Sequence, residues 1–385
     1  MDFDLTPEQL EIRKLAKEFA DREIAPGARE RDRAERFPAD VLAKMAPLGF
    51  LGGPVPETYG GMGIDYIGHA LITEEVGRGD SSVRTTLSVQ VSLVELTILK
   101  FGTEAQKRTW LPRLCQGEII GCFGLTEPGA GSDAANLSTS AVRDGKDWRL
   151  SGRKMWISNG SVSKLALVFA RTDPKAPKAQ GLSAFLVDRE RSPYQSPQIH
   201  GKLGLRSSDT SELVFDDVRV PDDMRLGELG QGFQIAMAGL DSGRYSVAAG
   251  AVGVAQACLD ASVAYATTRS AFGKPIAGHQ LVQELIADMT VETEASRLLV
   301  WRAGHLKNKG VPNTRETSIA KLYAAEAAQR CADRAIQIHG GYGFSDEFPV
   351  ERYWRDARVN RLYEGTTQIQ KLIIGRFATG IDAFS

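Results

Sequence analysis

The stretch Leu125-Thr126-Glu127-Pro128-Gly129-Ala130-Gly131-Ser132-Asp133 stands where the chain changes texture, and that change decides the fold. Before it, apolar residues recur at helical spacing. Leu5-Thr6-Pro7-Glu8-Gln9-Leu10 holds a complete helix start: Thr6 caps, Pro7 fits the first helical position and Gln9 closes a capping box. Further helices are predicted after Phe37-Pro38-Ala39-Asp40 and from about Tyr66 past Leu111, on either side of a Gly/Pro-rich loop over 52–63. After it come the short apolar or alternating runs Leu165–Ala170, Leu182–Val187 and Leu213–Val220, with a hairpin signal at Asp144-Gly145 and prolines between them. That pattern predicts an all-β segment, a small barrel or a sandwich. From about Gly230 the chain is Ala-rich and helical again. Breaks at 272–278, 308–313, 340–349 and 364–365 delimit long helices suited to a bundle. The expectation is an α+β protein of three domains: 1–120 helical, 121–229 β, and 230–385 a helical bundle.

Composition narrows the functions open to such a chain. Its 385 residues carry 47 Lys+Arg against 48 Asp+Glu, a net charge of −1, so no broad attraction to nucleic acid or anionic lipid is expected. Apolar residues at 42% and charged residues at 25% are globular proportions and exclude a largely disordered chain. No stretch reads as long and apolar enough to span a bilayer. Cys115, Cys122, Cys258 and Cys331 form no C-x-x-C pair, as in a reducing compartment. The histidines form no H-E-x-x-H, so no metal is expected. The acidic start Met1-Asp2-Phe3-Asp4 lacks the basic residues and apolar run of a signal peptide. The expected location is the cytoplasm, or the mitochondrial matrix for the mature form of a eukaryotic precursor.

Five constellations carry chemistry, and each also has a plain structural reading. In 125–133, two glycines admit a ligand to the backbone and Thr126 and Ser132 offer hydroxyls; the same residues suit a turn at a domain junction. No G-x-G-x-x-G opens a helix there, so it is not a dinucleotide fingerprint. Lys154-Met155-Trp156-Ile157-Ser158-Asn159-Gly160 sets a flat ring beside a hydroxyl, or buries a core Trp. Arg269-Ser270-Ala271-Phe272-Gly273-Lys274-Pro275 suits an anion, or ends a helix. Gln337-Ile338-His339-Gly340-Gly341-Tyr342-Gly343 can aim backbone N–H groups at an anion, or serve as a flexible loop. In Tyr363-Glu364-Gly365-Thr366-Thr367-Gln368, a carboxylate beside an apolar run can act as a general base, or simply open a helix.

Taken together, the order and spacing are specific. LTEPGAGSD at 125–133, KMWISNG at 154–160, RSAFGKPI at 269–276, QIHGGYGF at 337–344 and YEGTTQIQ at 363–370 resemble, over essentially the whole chain, the FAD-dependent acyl-CoA dehydrogenases. The resemblance implies an N-terminal helical domain, a central β-barrel and a C-terminal helical bundle, assembled as a homotetramer, a dimer of dimers. It implies FAD as cofactor, an acyl-CoA substrate and an electron-transfer flavoprotein as electron acceptor. Leu125, Thr126 and Ser132 would lie by the flavin, Ser132 also by the substrate. Trp156 would flank the isoalloxazine ring. Ser158 would hydrogen-bond near its N5, where most relatives have Thr. Arg269, Phe272, Gln280, Gln337, Gly340 and Gly341 would reach a cofactor held mainly by a neighbouring subunit. Thr366 and Gln368 would contact FAD, and Asp241, Arg244 and Gly365 the acyl-CoA. Glu364 would be the base. Some relatives carry the base on a C-terminal-domain helix, where this chain has Gly243.

The acyl group is read from Ser81-Ser82-Val83-Arg84-Thr85-Thr86-Leu87-Ser88-Val89-Gln90, which resembles the acyl-pocket segment. The glutaryl-CoA dehydrogenases have an Arg at the position of Arg84, used on a distal carboxylate, and the ending Ala378–Phe384 is reminiscent of that branch. Gly77, however, replaces an acid typical of it, and YEGTTQIQ is the commoner fatty-acyl form. The expected activity is α,β-dehydrogenation of a short, branched or dicarboxylic acyl-CoA in fatty-acid or amino-acid degradation. The alternatives are a dehydrogenase of carrier-protein-bound units and a flavin oxidase or monooxygenase.

Overall fold

Thr6 makes the cap its position predicts: its Oγ1 accepts from the Gln9 N–H at 3.2 Å, and Gln9 Oε1 accepts from the Thr6 N–H at 3.0 Å. This opens α1 (Pro7–Phe19). A computed structural model describes residues 4–383; Met1–Phe3 of the acidic start and Phe384 of the C-terminal motif lie outside them. The N-terminal helices continue with α2 (Ala28–Arg33), α3 (Ala39–Met45), α4 (Tyr66–Gly79), α5 (Ser81–Ser88), α6 (Leu96–Phe101) and α7 (Glu104–Cys115). Asp65 caps α4 through the Gly68 N–H at 2.6 Å, and Asp80 caps α5 through the Ser82 N–H at 2.9 Å. A π-helical segment, Val89–Glu95, joins α5 to α6.

The central strands are β1 (Gly121–Gly124), β2 (Ser140–Asp144), β3 (Asp147–Ser158), β4 (Leu165–Arg171), β5 (Leu182–Asp188), β6 (Thr210–Pro221) and β7 (Arg225–Leu226). The hairpin expected at Asp144-Gly145 joins β2 to β3. The seven strands form one sheet in the order β6-β3-β2-β4-β5-β7, with β1 parallel to β4. The sheet is not the closed barrel expected from the sequence. Its end strands β6 and β7 do not pair, because β7 is two residues long and spends its bonds on Ala184 and Phe185 of β5. β4 and β5 are buried along almost their whole length, which is why they read as continuous apolar runs.

The C-terminal helices are α8 (Gly232–Thr268), α9 (Gln280–Asn308), α10 (Thr314–His339), α11 (Val350–Ala357) and α12 (Thr367–Thr379), broken where expected. A small hairpin, β8 (Ser270–Ala271) and β9 (Lys274–Pro275), follows α8. By length and composition α8 is apolar enough to cross a membrane, which corrects the sequence expectation. Its apolar character serves the core: 67% of its most apolar stretch is buried, against α4, α9 and α10. Gly253 is the reason α4 comes so close. A Cβ there would stand 2.1 Å from the Glu74 carbonyl of α4. This packing sets α5, α8, α10 and the chain before α12 around one point.

Candidate active site

Two of the motifs are stitched together by a buried ion pair. Lys154 Nζ lies 2.7 Å from Glu127 Oε1, with both side chains out of water. Glu127 also accepts from the Ser138 N–H at 2.7 Å, the Ser138 hydroxyl at 2.6 Å and the Thr139 N–H at 2.9 Å. Burial alone would raise the Glu127 carboxyl, but Lys154 and these donors outweigh it and hold it at about 2. Burial pulls the Lys154 ammonium down to about 8 against the pull of Glu127. The Met155 N–H donates to the Thr126 carbonyl at 2.8 Å. The register of β3 against β6 then shifts between Lys154 and Ile157. Inside this bulge Trp156 takes a φ of +61° and is 60% exposed, so the bulge turns its ring outward. Ser158 follows half-buried on the same strand; Leu125 is buried, Thr126 half-buried and Ser132 exposed.

Glu364 occupies a strained turn. Its φ is +52° and that of Gly365 is +87°. Arg244 Nε donates to the Glu364 carbonyl at 3.2 Å, and Lys321 Nζ to the Gly365 carbonyl at 2.7 Å. Gln370 Nε2 donates to both, at 3.3 and 3.0 Å. Thr366 caps α12 through the Ile369 N–H at 3.3 Å, and Gln368, the second residue of the helix, is exposed. The Glu364 backbone N–H makes no hydrogen bond among the described residues. Its Oε2 is buried and has no partner among the described residues. Burial pushes the carboxyl up to about 7, opposed by Arg84, Lys321 and Arg244. A Cβ on Gly243 would stand 1.9 Å from this oxygen, so a side chain at 243 and the Glu364 carboxylate would compete for one volume.

Arg84 is not at the surface, and it is paired with no acid among the described residues. It is 1% exposed, donates to the Tyr363 hydroxyl at 2.6 Å and reaches Asn360 Oδ1 at 3.5 Å. Its Nε and the Asn360 Nδ2 are buried donors without acceptors among the described residues. Gly250 gives it room: a Cβ there would meet its Cδ at 2.5 Å. Arg244 is pinned between the Glu364 carbonyl and Asp241 Oδ1, 2.8 Å from its Nη1.

The remaining predicted residues gather elsewhere. Arg269, past the end of α8, lies over the Tyr342 ring at 5.6 Å and lines one cavity with His339, Gly340 and Gly341. Phe272 is 96% exposed, and Gln280 and Gln337 are exposed too. A Cβ on Gly340 or Gly341 would meet nothing within 4 Å, so their backbone is open to a ligand. At ~1.5 Å per residue, α8 carries Arg244 and Arg269 about 37 Å apart, so one chain does not bring the two groups together.

Known proteins place this arrangement. Residues 6–118, 122–218 and 230–379 match the N-terminal, middle and C-terminal domains of acyl-CoA dehydrogenases. The mitochondrial short-chain specific acyl-CoA dehydrogenase of Bos taurus is 45% identical over 363 residues, 94% of this chain and 88% of that one. The structure of butyryl-CoA dehydrogenase from Megasphaera elsdenii superposes with a TM-score of 0.96 at 40% identity, covering 98% of this chain and 100% of that one. That of a glutaryl-CoA dehydrogenase in complex with glutaryl-CoA gives 0.95 at 40% identity, covering 99% and 97%.

The chain belongs to the acyl-CoA dehydrogenase family. Its cofactor is therefore FAD, and the residues present fit a flavin: an outward-turned Trp156, an adjacent Ser158 hydroxyl and the open Gly340-Gly341 backbone. Four residues that contact Arg84 or the Glu364-Gly365 turn escaped the sequence reading: Asn360, Tyr363, Lys321 and Gln370. Only Tyr363 and Gln370 carried a signal, as the two ends of YEGTTQIQ. Lys321 sits in an Ala-rich helix that reads as ordinary, and its burial follows from how α10 packs.

Proposed function

We propose that Glu364 is the base that takes the α-proton of a short acyl-CoA thioester. The observation that carries this is its Oε2: buried, unpartnered, and on a carboxyl raised to about 7 with three cations around it. The free Glu364 N–H would donate to the thioester carbonyl and stabilise the charge that develops there. Arg244, Lys321 and Gln370 hold the turn so that carboxylate and N–H face the same substrate. Bound FAD supplies the hydride acceptor, and an electron-transfer flavoprotein takes the electrons onward. Because the Arg269 group lies so far from Glu364, a second copy completes each flavin site, in a homotetramer. Glu364→Gln keeps the shape and the N–H but not the base. Anaerobic mixing with butyryl-CoA should show flavin reduction slowed by ~10²–10⁴-fold or more. Reduction at the wild-type rate would place the base elsewhere.

For the acyl group, the buried donors of Arg84 and Asn360 support a distal acceptor, best met by a carboxylate. Removing one partner of a buried pair costs ~3–5 kcal/mol, or roughly 10²–10³-fold. Arg84→Ala should therefore cut kcat/KM for glutaryl-CoA by about that factor and leave butyryl-CoA unchanged or improved. Equal changes for both would return the assignment to unsubstituted or branched short acyl groups.

A further inference from the structure

Lys321, on α10, is a fully buried ammonium whose single hydrogen-bond partner among the described residues is the Gly365 carbonyl. Burying an ammonium is costly unless an acid repays it. The acids that act on Lys321 are Glu364 and Glu326, and Glu326 is already engaged by Arg361 at 2.8 Å and by the Thr367 hydroxyl at 2.9 Å. Burial draws the Lys321 ammonium down to about 8, so it is still charged at neutral pH. The charge is thus kept where its closest service is to the turn that holds Glu364.

The groups facing Glu364 divide the work. Arg84 comes from α5 and is tied to the Tyr363 hydroxyl on the same turn. Arg244 comes from α8 and is offset by Asp241. Lys321 comes from α10, touches the turn directly and forms no ion pair among the described residues. We infer that Lys321 is a positioning residue for Glu364: its hydrogen bond locks the left-handed Glu364-Gly365 turn, and its charge favours the ionised carboxylate. This rests on Glu364 being the base.

The test compares the FAD-loaded wild type with Lys321→Met, which removes donor and charge, and Lys321→Gln, which removes only the charge. The readouts are the pH profile of kcat/KM for butyryl-CoA and an infrared titration of the Glu364 carboxyl, assigned with Glu364→Gln. Both variants should move the acid limb and the infrared midpoint upward by roughly one pH unit. Lys321→Met should also lower the high-pH plateau of kcat by roughly tenfold with KM within about twofold, and Lys321→Gln should restore that plateau. Flavin content should match wild type throughout. Unshifted limbs and midpoints in both variants would overturn the inference, as would activity losses that merely track flavin content or melting temperature. If Lys321→Met does not fold, the limb and midpoint of Lys321→Gln decide. A wild type that dehydrogenates no thioester would fail the Glu364 reading instead, and the infrared midpoints would still test the effect of Lys321.

Discussion

Any side chain at position 243 would enter the space of the Glu364 carboxylate and would also meet Leu93 Cδ2 at 2.6 Å. Gly243→Ala should therefore act on Glu364 rather than on the fold. Overpacking of this kind costs ~1–3 kcal/mol, whereas a misplacement of ~1 Å at the chemistry costs roughly 10²-fold in rate. We expect kcat/KM to fall about a hundredfold with a modest drop in melting temperature. Unchanged kinetics would mean that Glu364 does not act from this position. The same carboxyl sets a pH dependence. A base works only when ionised, and burial has raised Glu364 to about 7 in the free enzyme. Activity should be full above that value and lost as pH falls through it. A kcat/KM profile flat between pH 6 and 8 would contradict this assignment.

At the scale of elements, the Lys154–Glu127 pair fastens β3 to the turn after β1. Glu127→Gln would strand a buried ammonium at a cost of ~3–5 kcal/mol, which a second change, Lys154→Met, should largely recover. Urea midpoints of the single and double variants would show this, and additive losses would refute it. The pair also marks where the sequence stops being legible. Helix starts such as Thr6 and helix breaks such as 308–313 are local, and both were read correctly. The motif segments, whose glycines and hydroxyls have fixed spacing, carried the family resemblance, and the family itself is borne out. The bulge at Trp156 was not legible, because it arises from the register of β3 against β6, strands far apart in sequence. Sheet closure was misread for the same reason: apolar alternation says that strands exist, not which edges meet. Arg84 was singled out in the sequence by its match to the glutaryl-CoA dehydrogenases, but its burial beside Asn360 depends on the close packing of α4 on α8, which no local pattern encodes.

At the scale of the whole molecule, the three domains meet around α11. Arg355 pairs with Asp32 of α2 at 2.7 Å, and Asp356 Oδ1 accepts the Leu205 N–H, from the loop before β6, at 2.6 Å. Nearby, Arg31 pairs with Asp80, the cap of the helix that carries Arg84, at 3.1 Å. Asp356 is 2% exposed. Burial pushes its carboxyl up to about 7; Asp80 and Asp32 add to this, while the Leu205 N–H and Arg352 oppose it. A carboxyl raised in the folded state binds its proton more tightly there than in the unfolded chain. Its contribution is therefore fully present below the ordinary carboxylate range, about 4, and is lost as pH rises through about 7. Asp356→Asn keeps an oxygen for the Leu205 N–H and behaves as a permanently protonated side chain. The variant should match wild type near pH 4 and become the more stable of the two by a few kcal/mol at pH 8. Urea unfolding at both pH values measures the difference. A gap that stays constant with pH would show that the Asp356 carboxyl is not raised in the folded protein.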